Sequence, residues 1–278
     1  PQAFSDLYSG YVVRAIFEPL YRYDYRARPH RIVPNTAAAL PEGSKDGRVW
    51  TFRIRPGIYF ADDPAFKGKR REVTAQDFVY SIKRYADPAN NAQGWVAYED
   101  AGIVGLTELR SQIIKNKKPF PYDTEVEGLK ALDRYTLQVK TVEPRPRLVE
   151  SIFAGNDLYG AMAREVVEFY GDKIAEHPVG TGPFMLTGWR RSSQMVLERN
   201  PSYRERFYEA QPAPDDAEAQ AILAKLKGRR LPMVDRVVVD VIVERQPRWL
   251  AIPIRAGVHW SACESPKTTT FRDDSVSP

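Results

Sequence analysis

The sequence predicts an α/β fold, and three segments carry this prediction. Between Val49 and Ile54, large apolar side chains alternate with polar ones, as on a β-strand with one face in water. Thr74-Ala75-Gln76-Asp77 matches a helix capping box and is followed by apolar residues at helical spacing. Val237–Val243 is nearly continuous in β-branched residues, which is typical of a strand buried on both faces. The valine-rich segment therefore indicates a mixed central sheet.

Three further elements are predicted in the first third of the chain. Apolar residues recur at helical spacing from Ser5 to Leu20, which predicts an amphipathic helix. The turn signal Pro56-Gly57 predicts that the strand before it pairs in a hairpin with Ile58–Phe60. The capped helix extends from Thr74 to Tyr85 and ends before Asp87-Pro88.

The remaining elements are predicted from weaker patterns. Strands are expected at Tyr135–Val142, Phe184–Trp189 and Gln194–Glu198, helices at Arg147–Phe153 and Ala161–Tyr170, and a surface excursion with a short charged helix at Pro212–Gly228. Pro178–Phe184 contains two glycines around a threonine and a closing proline, which fit neither a helix nor a central strand. This segment is predicted to be a fixed crossing of the chain.

The composition excludes several classes of protein. A chain of 278 residues with 43% apolar residues can form a packed core. Its net charge of +5 is small for its length and its basic clusters are scattered, so no nucleic-acid partner is predicted. No apolar run reaches the roughly 18 residues of a membrane-spanning helix. Cys263 is the only cysteine, which excludes a disulfide within the chain and paired-thiolate metal sites.

The residues that could support catalysis are poorly arranged for it. His30, His177 and His259 stand apart, without the H-E-x-x-H spacing of a zinc site. The sequence contains no G-x-S-x-G elbow and no complete phosphate-binding glycine loop. The acidic pairs Asp62-Asp63 and Asp215-Asp216 lie in polar, turn-like surroundings, which favours solvated loops over acid–base catalysis. The sequence therefore predicts a protein that is not an enzyme and uses no cofactor or metal.

Five segments together carry a resemblance to a known family: Phe17-Glu18-Pro19-Leu20, Trp50–Phe60, Thr74–Tyr85, Val179–Phe184 with Asn200-Pro201-Ser202-Tyr203, and Val234-Asp235-Arg236. In this order, over roughly residues 1 to 250, the chain resembles the extracytoplasmic solute-binding proteins of peptide-type ABC importers, the oligopeptide and dipeptide-binding family 5. The resemblance implies a periplasmic-binding-protein type II-like fold, in which two lobes joined by a hinge enclose a ligand.

The resemblance also implies a division of the chain. Residues 1–45 and 180–252 are expected to form the main lobe, with a mixed central sheet and flanking helices, and residues 46–179 a smaller inserted α+β subdomain. Residues 253–278 resemble neither the second lobe nor any periodic pattern, and we expect an aberrant or disordered tail there. A frameshifted or truncated reading frame would produce such an ending, so the chain is expected to hold the first lobe alone.

By the same resemblance, the ligand-facing residues are expected at the start of the first helix. They are Asp6, Leu7, Tyr8 and Ser9, together with Trp95 on the smaller subdomain. The helix-start residues could equally be capping groups, because polar side chains satisfy the free amides of a helix amino terminus. With half of the cleft missing, weak or absent peptide binding is expected of this chain.

The partners implied are a peptide or similar small solute and an ABC permease in the membrane, with the protein itself a periplasmic or membrane-anchored extracytoplasmic monomer. No signal peptide is visible in these residues. A binding protein for nickel chelates, haem or opines on the same scaffold remains an alternative, because a fold does not determine its pocket. Another is the ligand-sensing domain of a transcriptional regulator, which predicts a helix-turn-helix segment upstream. An enzyme whose site is assembled from distant residues is a further alternative.

Overall fold

The computed structural model describes residues 7–24, 27, 29–154, 160–242 and 244, and of Leu7 and Tyr8 it describes the backbone alone. Asp6 and the expected tail at 253–278 lie outside the described residues. The chain divides into two compact units, Pro1–Met185 with Arg199–Asp235, and Leu186–Glu198 with Arg236–Pro278. The division into main lobe and inserted subdomain given above follows other boundaries and stays a prediction.

The helices of the described part are short to medium in length. They are α1 (Leu7–Ile16), α2 (Ala75–Ala86), α3 (Trp95–Ala101), α4 (Leu106–Asn116), α5 (Arg164–Tyr170) and α6 (Ala217–Leu226), with 3-10 turns at Pro64–Phe66, Pro88–Asn90 and Gly171–Glu176 and a π-helical turn at Val149–Phe153. The predicted helices at 5–20, 74–85 and 161–170 are confirmed as α1, α2 and α5. Helix α2 is shifted by one residue from its predicted range, α1 ends four residues earlier than predicted and α5 begins three residues later. None of the described helices is long and apolar enough to cross a membrane.

The strands of the described residues form four small sheets. They are β1 (Tyr21–Asp24), β2 (Arg31–Pro34), β3 (Glu42–Gly43), β4 (Val49–Arg53), β5 (Leu129–Asp133), β6 (Thr136–Lys140), β7 (Phe184–Arg190), β8 (Gln194–Arg199), β9 (Arg206–Phe207), β10 (Arg230–Leu231) and β11 (Arg236–Asp240). Their orders are β1-β2, β3-β4-β6-β5, β10-β9 and β11-β8-β7. Each strand pair is antiparallel, and the parallel component in the described residues is a single bridge between Tyr21 and Ala154.

Helix α2 begins where the capping box predicts. The backbone N–H of Thr74 donates to Asp77 Oδ2 at 2.7 Å, which satisfies a donor that would otherwise be free at the helix start. The helix ends at Ala86, because the next two residues are Asp87 and a proline that cannot continue it. Its buried face packs against β5 and β6, so the helix covers one side of the four-stranded sheet.

The partner of β4 differs from the predicted hairpin. Strand β4 pairs with β6 over Val49↔Lys140 to Arg53↔Thr136 and with β3 on its other side. Ile58–Phe60 instead lies along residues 71–73, with Phe60 N donating to Arg71 O at 2.9 Å. The reason is local, since Glu72 accepts a hydrogen bond from Gly57 N at 2.6 Å and holds the turn against this segment.

The core of the first unit lies between the four-stranded sheet and its helices. Phe52 in β4 is fully buried, and its ring centre lies 4.4 Å from that of Phe153 and 6.1 Å from that of Tyr21. The alternation predicted for this strand is thereby confirmed, because Arg53 beside Phe52 is exposed. Burial of large aromatic side chains of this kind supplies most of the stabilisation of a domain core.

The second unit contains a small sheet in which the valine-rich strand lies at an edge. Strand β11 pairs with β8 over Arg236↔Glu198 to Asp240↔Gln194. Val238 is 42% exposed, so burial of the valine-rich segment on both faces is wrong for the described residues. The β-branched run correctly indicated a strand, but burial depends on a covering layer, which the described part of this unit does not provide.

Candidate functional site

The glycines of the crossing segment lie against the carboxyl end of helix α1. Gly182 N donates to Ile16 O at 2.7 Å and so satisfies one of the carbonyls that a helix leaves free at its end. A Cβ on Gly180 would lie 2.1 Å from Ile16 O, and one on Gly182 would lie 2.6 Å from it. Glycine is required at both positions because two backbones touch there, which gives the predicted crossing its physical reason.

Immediately after α1, Glu18 lies at the centre of a buried polar cluster. The side chain of Glu18 is 6% exposed, and Arg204 donates to its two oxygens at 2.5 and 2.9 Å. Burial acts to lower the pKa of Arg204, but the adjacent Glu18 carboxylate raises that pKa above its ordinary value. Thr181 Oγ1 and Tyr203 OH donate to the same carboxylate at 3.2 and 3.3 Å. The two charged side chains are therefore paired and largely shielded from solvent.

Asn200 fastens the crossing segment to the chain that follows β8. Its side-chain amide donates to Gly182 O at 2.9 Å, and its backbone N–H donates to Pro183 O at 2.9 Å. Its side-chain oxygen accepts from Ser202 N at 2.9 Å, which closes an Asx turn through Pro201. The Asn200-Pro201-Ser202-Tyr203 motif thereby brings Tyr203 and Arg204 to Glu18.

The chain after α1 is held by a second set of hydrogen bonds. Asn35 Nδ2 and Thr36 Oγ1 both donate to Pro19 O, at 3.1 and 3.0 Å. Asn35 Oδ1 in turn accepts from Arg204 Nη2 at 3.2 Å. Three of the segments that carry the family resemblance thus meet in one place, which we call the α1 junction. They are Phe17–Leu20, 179–184 and 200–203.

A separate polar cleft of about 540 Å³ lies on the surface of the first unit. It is lined by Tyr59, Arg70, Arg71, Glu72, Thr74, Arg134 and Glu165. Arg71 donates to Asp77 Oδ1 at 2.7 Å and to Glu165 Oε1 at 2.8 Å, and Arg134 donates to Glu72 Oε2 at 2.9 Å. These charges neutralise one another, so the cleft has the character of a structural ion-pair network.

Residues 31–274 match the family model of the bacterial extracellular solute-binding proteins, family 5 middle. The chain belongs to this family. It is 33% identical over 194 residues to the periplasmic oligopeptide-binding protein OppA of Salmonella typhimurium, covering 69% of this chain and 32% of that protein. It is 31% identical over 205 residues to the oligopeptide-binding protein OppA of Bacillus subtilis, covering 73% and 34% of the two chains.

Solved structures of two proteins in complex with peptides show the same fold. The structure of Haemophilus influenzae OppA in complex with the peptide RPPGFSPFR matches with a TM-score of 0.58 and 26% identity, covering 73% of this chain and 36% of that chain. The structure of Helicobacter pylori DppA in complex with the peptide STSA matches in fold with a TM-score of 0.64 at 23% identity, covering 91% and 42%. The chain therefore spans about a third of the length of the curated relatives it matches.

The structure places the described members of the predicted ligand-facing set on two helices of the first unit. Leu7 and Ser9 lie with Tyr8 in the first turn of α1, and Ser9 is partly buried. Trp95 begins α3, is 6% exposed and packs beneath the guanidinium carbon of Arg110, which lies 4.9 Å from its ring centre. The ligand-binding role of these residues and of Asp6 stays a prediction.

Sequence reasoning missed the residues that hold the α1 junction together. Glu18 lies in a motif that predicts no role for it, and no sequence pattern singles out Arg204 or Asn35. A signal was present, because Glu18 interrupts an apolar run and few carboxylates are buried without a cationic partner. In the described part of the chain, no three or more His, Cys, Asp or Glu side chains form a group that could hold a metal ion.

Proposed function

We propose that this chain is part of the substrate-binding component of an ABC importer that captures peptides or similar small solutes outside the cytoplasmic membrane. The observation that carries the proposal is family 5 membership, together with curated relatives that are named as oligopeptide- and dipeptide-binding proteins. The H. influenzae and H. pylori proteins were solved in complex with peptides. Capture without chemical change is the proposed activity, so the protein is not an enzyme.

The α1 junction supports this proposal by fixing the helix that would present the ligand-facing residues. Gly182 binds the last turn of α1, and Glu18 fastens the chain that leaves it. A binding site held on a rigid element loses less conformational entropy when its ligand binds. Under the proposal, Leu7, Tyr8 and Ser9 at the opposite end of α1 contact the ligand together with Asp6, which precedes them in the sequence, and Trp95 contributes from α3.

The proposed partners follow from the same assignment. The loaded protein delivers its ligand to an ABC permease in the membrane, acts as a monomer and binds no nucleic acid. Its place is the periplasm or another extracytoplasmic compartment. The family scaffold does not determine which ligand its pocket binds. Peptide is therefore proposed as the ligand because the relatives are named as oligopeptide-binding proteins.

Uptake in cells tests this assignment. A strain deleted for the complete gene should lose most of its uptake of a labelled oligopeptide pool, and a plasmid copy should restore it. Uptake of a labelled nickel chelate should be unchanged in the same strain. Unchanged peptide uptake with lost nickel uptake would contradict the proposed ligand, and unchanged uptake of both would contradict the importer assignment.

A further inference from the structure

Three arginines surround the α1 junction, and among the described residues they outnumber the acids that face them. Arg204 and Arg206 flank Glu205 at the start of β9, with side chains 12% and 27% exposed. Arg22 lies on β1, is partly buried, and is close enough to both for their charges to lower its pKa. Glu18 is the carboxylate that faces this group.

The oxygens of Glu18 are already in use. Arg204, Thr181 and Tyr203 all donate to them. Arg206 Nη1 therefore hydrogen-bonds neutral acceptors, Asn35 Oδ1 at 3.3 Å and Tyr203 OH at 3.2 Å, and its nearest approach to a Glu18 oxygen is 3.8 Å.

Arg22 has no acceptor at all in the described part of the chain. Its Nε is buried without a hydrogen-bond partner, and the same is true of Arg204 Nε. Asp24, the nearby acid on the same face of β1, is held by Arg31 at 3.2 Å. Among the described residues, four guanidinium groups thus face two carboxylates, Glu18 and Asp24, so the positive charges in this group exceed the negative ones by two.

A partly buried cation without an acceptor costs free energy, and folded proteins tolerate one mainly where a bound ion or a function compensates for it. Burial and then the charge of Arg206 hold the pKa of Arg22 below its ordinary value, in keeping with a surplus of positive charge. Guanidinium groups present paired N–H donors whose spacing matches carboxylate and phosphate oxygens. Both the charge and the donor geometry therefore suit an oxyanion.

We propose that Arg22, Arg204 and Arg206 form a binding site for a small oxyanion, a carboxylate or phosphate group. Arg22 supplies donors, Arg206 supplies charge at partial exposure, and Arg204 supplies charge while its Nη nitrogens hold Glu18. The proposal is independent of peptide capture, because it rests on charges at the carboxyl end of α1 and on no ligand-facing residue at its start.

The test compares thermal unfolding of the 278-residue chain in sodium chloride, phosphate and acetate at equal ionic strength and neutral pH. The wild-type chain should show a saturable rise in melting temperature with phosphate or acetate, because a ligand bound to the folded state stabilises it. The anion that raises the melting temperature more, phosphate or acetate, identifies the kind of oxyanion that the site binds. Arg22→Gln should weaken the apparent affinity about tenfold or more, since bonds between charged partners contribute at least this much.

The matched control is Arg70→Gln. The guanidinium carbon of Arg70 lies 4.0 Å from the ring centre of Tyr59 in the surface cleft. Because Arg70 is not one of the three arginines of the proposed site, this variant should respond like the wild type. In chloride, Arg22→Gln should melt at or above the wild-type temperature, because it removes a cation without a partner. Absence of a saturable rise in the wild type, an equal response in Arg22→Gln, or failure of Arg22→Gln to fold would each overturn the proposal.

Discussion

Arg204 donates to both carboxylate oxygens of Glu18, at 2.5 and 2.9 Å, although the two residues lie 186 positions apart in the chain. This contact joins the end of α1 to the segment after β8. Gly180 and Gly182 of the crossing lie between these two segments in the sequence. The α1 junction is thus one structural unit built from parts of the sequence that are far apart.

Removing the Glu18 charge should destabilise the chain strongly. Glu18→Gln leaves Arg204 buried without its counter-ion, and we expect a loss of about 3 kcal/mol in the free energy of unfolding. Urea unfolding followed by tryptophan fluorescence measures this loss. The control is Glu127→Gln, whose ion pair with Lys140 is exposed, and which should leave the unfolding free energy nearly unchanged.

The double variant Glu18→Gln with Arg204→Met should be less destabilised than the sum of the two single variants. The reason is that removing both charges leaves no buried ion unpaired. Strict additivity of the two losses, or a loss for Glu18→Gln no larger than that of Glu127→Gln, would contradict the assignment of a buried ion pair at the α1 junction.

The crossing should not accept a methyl group at Gly180. Gly180→Ala would place Cβ against Ile16 O, and we expect a loss of about 2 kcal/mol or more in the free energy of unfolding. Gly188→Ala is the matched control, because its Cβ would meet Val196 Cβ at 3.5 Å, an ordinary contact. Equal unfolding midpoints for the two variants would show that the backbones do not touch at Gly180.

Glu72 should contribute stability that depends on pH. The hydrogen bond from Gly57 N, with those from Arg134 and Tyr135, holds the pKa of Glu72 below its ordinary value. A carboxyl whose pKa is lowered by folding stabilises the protein above its unfolded pKa, and this contribution is lost as the pH falls through the folded pKa. Glu72→Gln should therefore cost about 1 kcal/mol at neutral pH and progressively less in acid.

Urea unfolding midpoints measured from neutral to acidic pH check this prediction. Glu99→Gln on the exposed face of α3 serves as the control and should track the wild type throughout. A difference between Glu72→Gln and the wild type that stays constant down to acidic pH would mean that the ionised carboxylate is not the stabilising group.

The sequence was sufficient for features that depend on neighbouring residues. The capping box of α2 and the alternation in β4 are local patterns, and the structure confirms both. The partner of β4 could not be predicted from a local pattern, because Thr136–Lys140 lies more than 80 residues away in the sequence. The turn signal at Pro56-Gly57 favoured a partner that is closer in the sequence. Local patterns do not encode which distant strand completes a sheet.

The α1 junction was predictable in part. The two glycines of the crossing indicated a constrained backbone, but their contact with Ile16 depends on tertiary structure. Glu18 and Arg204 are ordinary charged residues in the sequence, and their pairing appears once Asn200 has turned the chain. The exposure of Val238 was not predictable from its β-branched neighbours, because a strand pattern does not reveal what covers its second face.

The most direct measurement is a calorimetric titration of the complete gene product with a defined pool of short peptides. The account predicts saturable binding that Tyr8→Ala weakens and Tyr11→Ala, on the same helix, leaves unchanged, while the 278-residue chain alone binds weakly or not at all. Saturable peptide binding that is equal in both variants would contradict the proposed site and leave the function standing. No saturable heat from any peptide with the folded, complete protein would contradict the claim that it captures peptides.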